Sequence, residues 1–239
     1  MVNKTLKKHK KGDRFAMCIP CHSEDSDCID KCFKSIKEQE QKPDIITMSV
    51  SSSTPEKEAL FNQKKAEYKL PIHYSFTTEP LLPGANRNRA AAAAIKKGAT
   101  HLSFFDADDI MHPKRFKLIR KAFSKNKGMT GVVHGFQGGS KANSTLTTPN
   151  TPVNGAVHFN RVYPKVESNQ EGIPYNTIAA DPQLSNSLAS GHSTVTSKFW
   201  KLYPFREDLK TGEDGSFIHN ILTKGTLGFM TDPLTLYLR

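Results

Sequence analysis

The sequence lacks three features that would indicate a membrane-spanning, secreted or nucleic-acid-binding protein. No apolar run approaches the ~20 residues that span a bilayer, and Met1-Val2-Asn3-Lys4 leads into lysines rather than an apolar leader. Aromatic residues are not interleaved with basic ones, and no nucleic-acid recognition motif is present, so we expect no nucleic-acid partner. A chain of 239 residues, 36% hydrophobic and 24% charged, instead predicts a globular protein with a cytoplasmic location as the default.

Cysteine is confined to the start of the chain, where Cys18, Cys21, Cys28 and Cys32 are the only four. Two pairs this close leave two interpretations open, a zinc site and a set of reduced, partly buried thiols. The gap between the pairs is shorter than in most zinc modules, and Cys18 lies in an apolar strand pattern. Cys28 and Cys32 are four residues apart and share a helix face. The thiol interpretation is therefore favoured.

Acidic residues are too few to balance the basic ones, because 23 Asp and Glu face 34 Lys and Arg, giving a formal net charge of +11. The first fourteen residues contribute +5 of this charge. We interpret residues 1–13 as a basic, disordered arm and residues 14–239 as a single domain. The arm is either a solvated tail, which is the simpler interpretation, or a peripheral contact with anionic lipid head groups or nucleic acid.

Apolar strand patterns alternate with helical patterns through the first half of the chain. The pattern predicts strands at residues 15–20, 45–50, 71–76 and 102–105. It predicts helices at residues 26–39, from 55 onward, 86–97 and 113–125. This alternation indicates an α/β fold with a mostly parallel, doubly wound sheet flanked by helices. The second half is less regular, with predicted strands at 132–134, 157–159 and 193–196, helices at 197–201 and from Gly212, and a strand pair around Pro233.

The segment Leu102-Ser103-Phe104-Phe105 runs directly into Asp106-Ala107-Asp108-Asp109. An apolar run of this length suits a buried central strand. Carboxylates at its carboxyl end emerge where open α/β sheets bind ligands. On a continued strand, Asp106 and Asp108 would share a face and Asp109 would point the other way. Two such oxygen ligands suit Mg²⁺ or Mn²⁺ carrying a phosphate-containing substrate, whereas the alternative is an acidic turn without chemistry.

Three blocks of sequence are informative in combination. Ile19-Pro20-Cys21-His22 ends the first strand, Arg87-Asn88 begins the helix that leads to Asp106-Ala107-Asp108, and Gly212-Glu213-Asp214 begins a late helix. In this order the blocks resemble those of nucleotide-sugar glycosyltransferases of the GT-A fold, most closely the inverting family-2 type. The resemblance spans nearly the whole domain. It implies a GT-A-like single domain with a nucleotide-binding half at 14–110 and an acceptor-binding half at 111–239.

The resemblance also implies a reaction, the inverting transfer of a sugar from a nucleotide-sugar, a UDP-sugar, to a glycan or other hydroxyl acceptor. Mn²⁺ or Mg²⁺ on Asp108, with Asp106 assisting, would neutralise the leaving diphosphate as a Lewis acid. Arg87 would add a cation near the phosphates. Asp214 is implied as the general base and Glu213 as the residue that orients the acceptor. The implied nucleotide-sugar-binding residues are Pro20, Cys21, His22, Glu24, Ser51, Ser52, Arg87, Asp106, Ala107 and Asp108.

The chain departs from the family pattern at two places. The family often has an acidic residue after the second strand, where this chain has Ser51, Ser52 and Ser53, whose hydroxyls can still bond a base or ribose. No histidine follows His219 to serve as a further metal ligand, so water and diphosphate oxygens would complete the shell. His192 is a candidate acceptor contact, with a structural histidine as the alternative.

Three other functions stay open at this level. A sugar-phosphate nucleotidyltransferase would need a glycine-rich basic loop after the first strand, where Pro20-Cys21-His22-Ser23 stands instead. A basic nucleic-acid-binding protein is supported by net charge but by no motif. A catalytically inactive sugar-binding relative would keep the fold and lose turnover.

Overall fold

Strands and helices alternate along the chain as the sequence predicts, and the computed structural model describes residues 12–139, 152–158 and 193–238. The strands are β1 Phe15–His22, β2 Ile45–Ser51, β3 Ile72–Phe76, β4 His101–Phe104, β5 Ile110–Met111, β6 Gly131–Gly139, β7 Ser193–Thr196 and β8 Leu227–Leu238. The helices are α1 Ile29–Lys37, α2 Pro55–Tyr68, α3 Pro83–Lys96, α4 Arg115–Lys125, α5 Ser197–Leu202 and α6 Glu213–Lys224. A short 3₁₀ turn, Ser23–Asp27, precedes α1.

The described strands form one sheet in the order β3-β2-β1-β4-β7-β6-β8-β5. β3, β2, β1 and β4 are mutually parallel, as are β6 and β8. β7 runs antiparallel between β4 and β6, and β5 pairs antiparallel with β8. The predicted α/β class with a mostly parallel sheet flanked by helices is therefore confirmed.

Two hydrophobic cores lie on the two faces of this sheet, because successive side chains of a strand point to opposite sides. On β1, Met17 and Ile19 belong to the core that α1, α2 and α4 cover. Ala16 and Cys18 belong to the core that α3, α5 and α6 cover. Both faces are covered, which explains why β1 and β2 read as continuous apolar runs in the sequence.

Local sequence explains where α2 and α3 begin and how α3 packs. Thr54 caps α2 by accepting a hydrogen bond from the Lys57 N–H at 3.4 Å, and Pro55 occupies the first turn, where its missing N–H costs nothing. α3 also has proline in its first turn, at Pro83. Its alanines, including the fully buried Ala90, let the helix axis lie close to β1 and β2.

The second half of the sheet corrects one prediction. The strand pair expected around Pro233 is a single long strand, β8, whose pairing with β6 shifts register where Gly135 lies opposite Pro233. A proline donates no ladder hydrogen bond, so it favours such an irregularity, and its turn-like signature was mistaken for a strand end. Residues 1–11 of the predicted arm, which spans residues 1–13, lie outside the described residues, as does His192.

In the described parts of the chain, no helix is both long and apolar enough to cross a bilayer.

Candidate active site

The carboxyl ends of β1, β2 and β4 meet at one edge of the sheet, which we call the site edge. β1 lies between β2 and β4, so the chain adds strands on one side of β1 up to β3 and then returns to place β4 on the other side. Open α/β sheets bind ligands in the crevice at such a switch point. The segments that carry His22, Ser51 and Asp106 follow from these strand ends and therefore share the site edge.

The segment after β4 carries the three predicted carboxylates on a turn. β4 ends at Phe104, and the Asp109 N–H donates to the Asp106 carbonyl at 3.3 Å, so the continued strand considered from the sequence does not form. Asp106 and Asp108 are half-buried. Asp109 is fully buried, and its Oδ1 accepts a hydrogen bond from the Leu238 N–H at 3.0 Å. Asp109 therefore holds the end of β8, and Asp106 and Asp108 are the two carboxylates accessible from the site edge.

Arg87 joins this turn to the start of α6. Its Nη2 donates to Asp106 Oδ1 at 2.8 Å and its Nη1 donates to Glu213 Oε1 at 2.5 Å. The arginine is only 4% exposed. Burial by itself lowers the pKa of Arg87, but attraction from Asp106, Glu213 and Asp214 outweighs it and holds the pKa above its usual value. The two carboxylate-bearing segments, at Asp106 and at Glu213, are thus brought together on one cation, and Glu213 lies 126 residues from Arg87 in the sequence.

The first turn of α6 presents the two acidic residues that the sequence predicts as catalytic. Gly212 precedes the helix with φ of 80°, a left-handed conformation that favours glycine. Glu213 is buried against Arg87, whereas Asp214 is half-buried and its Oδ1 accepts from the Gly215 N–H at 2.8 Å. Burial raises the pKa of both carboxyls, and Arg87 partly opposes the rise. A carboxyl with a raised pKa is better suited to accept a proton near neutral pH.

A segment before α6, which the sequence analysis missed, is fixed by Asn88 in α3. Asn88 Nδ2 donates to the Phe205 carbonyl at 2.9 Å and to Glu207 Oε1 at 2.8 Å. Its Oδ1 accepts from Trp200 Nε1 at 3.1 Å and from the Phe205 N–H at 3.0 Å. A side chain on Gly84 would approach the Arg206 carbonyl to 2.0 Å, so glycine is required for this close packing. The polar run at the start of an otherwise apolar helix was the signal for this role.

Asn86 plays a similar part on the nucleotide side. It is buried in the first turn of α3, and its Nδ2 donates to the Cys21 carbonyl at 2.9 Å and to Ser51 Oγ at 3.4 Å. These bonds tie α3 to the ends of β1 and β2. The sequence analysis did not single out Asn86, although a polar residue in a buried first turn is an identifiable signal.

The residues predicted to contact the nucleotide-sugar differ widely in exposure. Cys21, Ser51 and Ala107 are no more than 2% exposed. The exposed members are Glu24 and, in part, Pro20, His22, Ser52, Asp106 and Asp108. Arg87 is also buried, so four side chains of the predicted set point into the protein at the site edge.

The first two loops that reach the site edge are held by their own hydrogen bonds. His22 Nδ1 accepts from the Glu24 N–H at 3.3 Å and caps the 3₁₀ turn. Ser52 has φ of 53°, and its carbonyl accepts from Ser23 Oγ at 2.7 Å. The loop after β1 is therefore hydrogen-bonded to the loop after β2 at the site edge.

The chemistry of the donor set fits a divalent metal at the site edge. Asp106 and Asp108 supply carboxylate oxygens, the ligands that Mg²⁺ and Mn²⁺ prefer, and such ions commonly keep water and substrate phosphates as further ligands. Within residues 12–139, 152–158 and 193–238, no three His, Cys, Asp or Glu side chains converge as a metal cage. Asp106 and Asp108 would therefore supply part of the ligand set of such an ion.

The cysteines are divided by the sheet. Cys18 lies in the core beside α3, whereas Cys21 and Cys32 lie in the core on the opposite face. All four cysteines are free thiols. Burial raises the pKa of Cys18, Cys21 and Cys32, which disfavours the thiolate that zinc binds. A single site holding all four thiols is incompatible with this arrangement.

The sequence matches the family described as Glycosyl transferase family 2 over residues 17–181. No curated protein sequence is significantly similar to the chain.

Solved structures share the fold at low sequence identity. S. aureus TarS 1–349 aligns with a TM-score of 0.63 and 17% identity over 94% of this chain and 60% of its own. The same fragment in complex with UDP-GlcNAc gives 0.65 and 14% over 95% and 58%. The mannosyltransferase PcManGT from Pyrobaculum calidifontis, in complex with GDP-Man and Mn²⁺, gives 0.60 and 12% over 96% and 57%. The chain therefore spans about 60% of the length of the first of these structures.

Proposed function

Because the chain belongs to glycosyl transferase family 2 and has the GT-A fold, we propose that it is a metal-dependent, inverting glycosyltransferase. The donor is a nucleotide-sugar of the UDP type, and the acceptor is a hydroxyl of a glycan or another molecule. Neighbours of the same fold that were solved with UDP-GlcNAc, and with GDP-Man and Mn²⁺, support the donor class and the metal. The proposal includes a nucleotide-binding half at 14–110, an acceptor-binding half at 111–239 and a cytoplasmic location.

One observation carries the proposal, namely the Arg87 bridge between Asp106 and Glu213. The bridge brings the donor-side turn next to the helix that bears Asp214. In a single displacement, the diphosphate must be held on one side of the sugar while a base lies near the acceptor on the other side. A nucleic-acid-binding protein has no need for a buried arginine shared by two acidic segments at a sheet switch point.

Asp106 and Asp108 would hold Mn²⁺ or Mg²⁺, and the metal would neutralise charge that grows on the departing diphosphate. In the transfer, the acceptor oxygen attacks the anomeric carbon, the bond from that carbon to the diphosphate oxygen breaks, and Asp214 takes the hydroxyl proton. The raised pKa of Asp214 increases its proton affinity for this step. Inversion follows because the acceptor attacks the face of the anomeric carbon opposite the departing diphosphate.

Arg87 and Glu213 take positioning roles in this scheme. Arg87 was expected from the sequence to lie against the phosphates, but its guanidinium donates to two carboxylates and is almost fully buried. We propose that it holds Asp106 and α6 in a fixed position relative to each other. Glu213 was expected to orient the acceptor; its burial against Arg87 favours an indirect role through the placement of Asp214.

Donor turnover tests the proposal. Each of a panel of UDP- and GDP-sugars is incubated with the protein, with and without Mn²⁺, and released nucleoside diphosphate is measured. Metal-dependent release from one donor is the expected result, and thermal shifts with the same panel report donor binding separately. Donor binding without any release, even with added acceptors, would favour an inactive relative.

Asp214→Asn tests the base. Turnover should fall by about 10²–10⁴-fold because the side chain can no longer accept a proton, while donor affinity stays unchanged. Asp208→Asn is the matched control, because Asp208 is exposed and bonded to Arg206. Full turnover in Asp214→Asn would assign the base to another residue.

Asp108→Ala tests the metal ligand in the same assay. Loss of one coordinating oxygen and one charge should remove Mn²⁺-dependent donor binding. Unchanged metal dependence would contradict the assignment of Asp108.

A further inference from the structure

The edge of the sheet opposite the site edge is formed by the amino-terminal ends of the parallel strands β1, β2, β3, β4, β6 and β8 and by the end of the antiparallel β7. Five segments reach the stretch of this edge from β1 to β8, namely residues 12–14, 97–100, 126–130, 196–198 and 225–226. The active-site proposal uses none of them. Their composition is nevertheless strongly biased in charge.

Backbone hydrogen bonds join these segments into a continuous row. The Thr100 N–H donates to the Arg14 carbonyl at 2.9 Å, and the residue after Thr196 donates to the Thr100 carbonyl at 2.8 Å. The Thr196 N–H donates to the Thr130 carbonyl at 2.9 Å, and the Thr130 N–H donates to the Thr226 carbonyl at 2.9 Å. With neighbouring strands ~4.8 Å apart, the row is roughly 20 Å wide.

Seven cations occupy the row and the helix ends that adjoin it, and we call them the basic edge: Arg14, Lys96, Lys97, Lys125, Lys127, Lys198 and Lys224. All six lysines are exposed, and Arg14 Nη1 is held by the Lys97 carbonyl at 2.7 Å. Asp13 is the only carboxylate among the described residues of these five segments and their adjoining helix turns. At the start of the neighbouring strand β2, Asp44 is paired with Arg120. Lysines at helix ends also complement the helix dipole, but this accounts only for Lys96, Lys125 and Lys224.

The chain that precedes Gly12 leaves the domain at this same edge, because β1 starts there. Residues 1–11 contain five lysines and no acidic residue. Their charge is therefore attached beside the basic edge rather than beside the carboxylates of the site edge.

We propose that the basic edge docks the protein on an anionic lipid surface through head-group phosphates and carboxylates. A planar anionic surface attracts every cation that shares one face of a protein, with each near-surface lysine strengthening binding by about fivefold. Nucleic acid is the less favoured partner. Leu202 is the one exposed large hydrophobic residue in the described chain, so no exposed aromatic ring is offered for base stacking.

Vesicle co-sedimentation tests the proposal with the full chain. Vesicles of phosphatidylcholine alone are compared with vesicles containing 30% phosphatidylserine, at about 0.05 M and 0.15 M salt. The triple variant Lys96→Glu/Lys97→Glu/Lys127→Glu is compared with Lys34→Glu/Lys114→Glu/Lys210→Glu, which has the same net charge and changes exposed lysines elsewhere. Lysine-to-glutamine changes at the same positions replace the reversals if a triple variant fails to fold.

The proposal predicts binding to the anionic vesicles only, weakening with salt. The basic-edge variant should lose at least tenfold in partitioning, and the control variant should lose much less. Equal losses in the two variants, or no binding by the unmodified protein at low salt, would overturn the proposal. Tighter binding to a duplex or single-stranded oligonucleotide than to the anionic vesicles, lost in the basic-edge variant, would assign this edge to nucleic acid instead. Donor turnover in solution is independent of these outcomes.

Discussion

Two arginines are buried on opposite faces of the sheet, one on each side of the Asp106–Asp109 turn, and their surroundings differ. Arg87 in α3 donates to two carboxylates, Asp106 and Glu213, and its pKa is held above its usual value. Arg115 in α4 is fully buried, and it donates hydrogen bonds to the His134 ring and to the Phe104 carbonyl. The two buried guanidinium groups are therefore stabilised by different sets of contacts.

The guanidinium of Arg115 contacts a histidine ring, a backbone carbonyl and an aromatic ring. Its Nε donates to His134 Nε2 at 2.9 Å and its Nη2 donates to the Phe104 carbonyl at 3.0 Å. The guanidinium lies 5.3 Å from the Phe105 ring. Burial lowers the pKa of Arg115 to about 9, against attraction from Asp109. On its other side, the His134 ring has Nδ1 at 2.9 Å from the Gly135 carbonyl.

The two arginines therefore have different roles at the Asp106–Asp109 turn. Arg115 bonds the backbone from which the turn begins, so it fixes shape. Arg87 bonds two carboxylates of the proposed active site, so it fixes the placement of charge. Substitutions at the two positions should therefore separate an effect on turnover from an effect on stability.

The largest effect is expected at Arg87. In Arg87→Met, Asp106 and Glu213 lose their shared cation, and the turn and α6 lose their link, so turnover should fall by about 10²-fold or more. Arg87→Lys should recover only part of this loss, because one ammonium cannot reproduce a planar fork. Steady-state release of nucleoside diphosphate measures both. Arg89→Met, on the same helix but bonded to the Phe76 carbonyl, is the control and should stay near the unmodified rate.

An intermediate effect, on stability, is expected at Arg115. Arg115→Met leaves His134 Nε2 and the Phe104 carbonyl without their donor, which should lower the free energy of unfolding by about 2–4 kcal/mol. Urea unfolding followed by circular dichroism measures this, and turnover of the fraction that remains folded should change less than in Arg87→Met. A more stable Arg115→Met protein would mean that desolvation of the cation outweighs its hydrogen bonds.

The smallest effect is expected from Asp214→Asn on stability in metal-free protein. Burial raises the folded-state pKa of Asp214 above its ordinary value of 3.8, so the folded protein keeps a proton that the unfolded chain has already lost. Stability therefore falls as the pH rises through that window and stays reduced above it. The asparagine has no such penalty, so its melting temperature at pH 7 should be higher by roughly 1–3 °C. A lower melting temperature across pH 4–7 would show that the carboxylate stabilises the fold.

The sequence was sufficient for the elements of the first half because each has a local signature. Strand patterns at β1, β2 and β4, and the proline at the start of α2, fall where the structure has them. The placement of Asp106 and Asp108 after a buried strand followed from the same pattern. Local pattern also misled at two places, since β4 ends at Phe104 instead of continuing through Asp106, and Pro233 interrupts the ladder within one strand rather than separating two.

The contacts that distinguish roles could not be predicted, because they join distant segments. Arg87 and Glu213 are 126 residues apart, and nothing near Arg87 in sequence indicates that carboxylates rather than phosphates surround it. Likewise, the bonds from Asn88 to Phe205 and Glu207 depend on the path of a loop without periodic pattern. The type of each residue was informative, whereas its partner was fixed only by the three-dimensional packing.

The length of β1 sets a distance between the two edges of the sheet. The strand runs from Phe15 beside the basic edge to His22 at the site edge, and eight residues in extended conformation measure about 25 Å. If the basic edge rests on lipid head groups, the reaction centre stands at about that height above them. A hydroxyl on a head group itself would then be out of reach, whereas the end of an outstretched glycan chain or a diffusing acceptor would not. The length of β1 would in this way determine how far from the bilayer an acceptor must be to react.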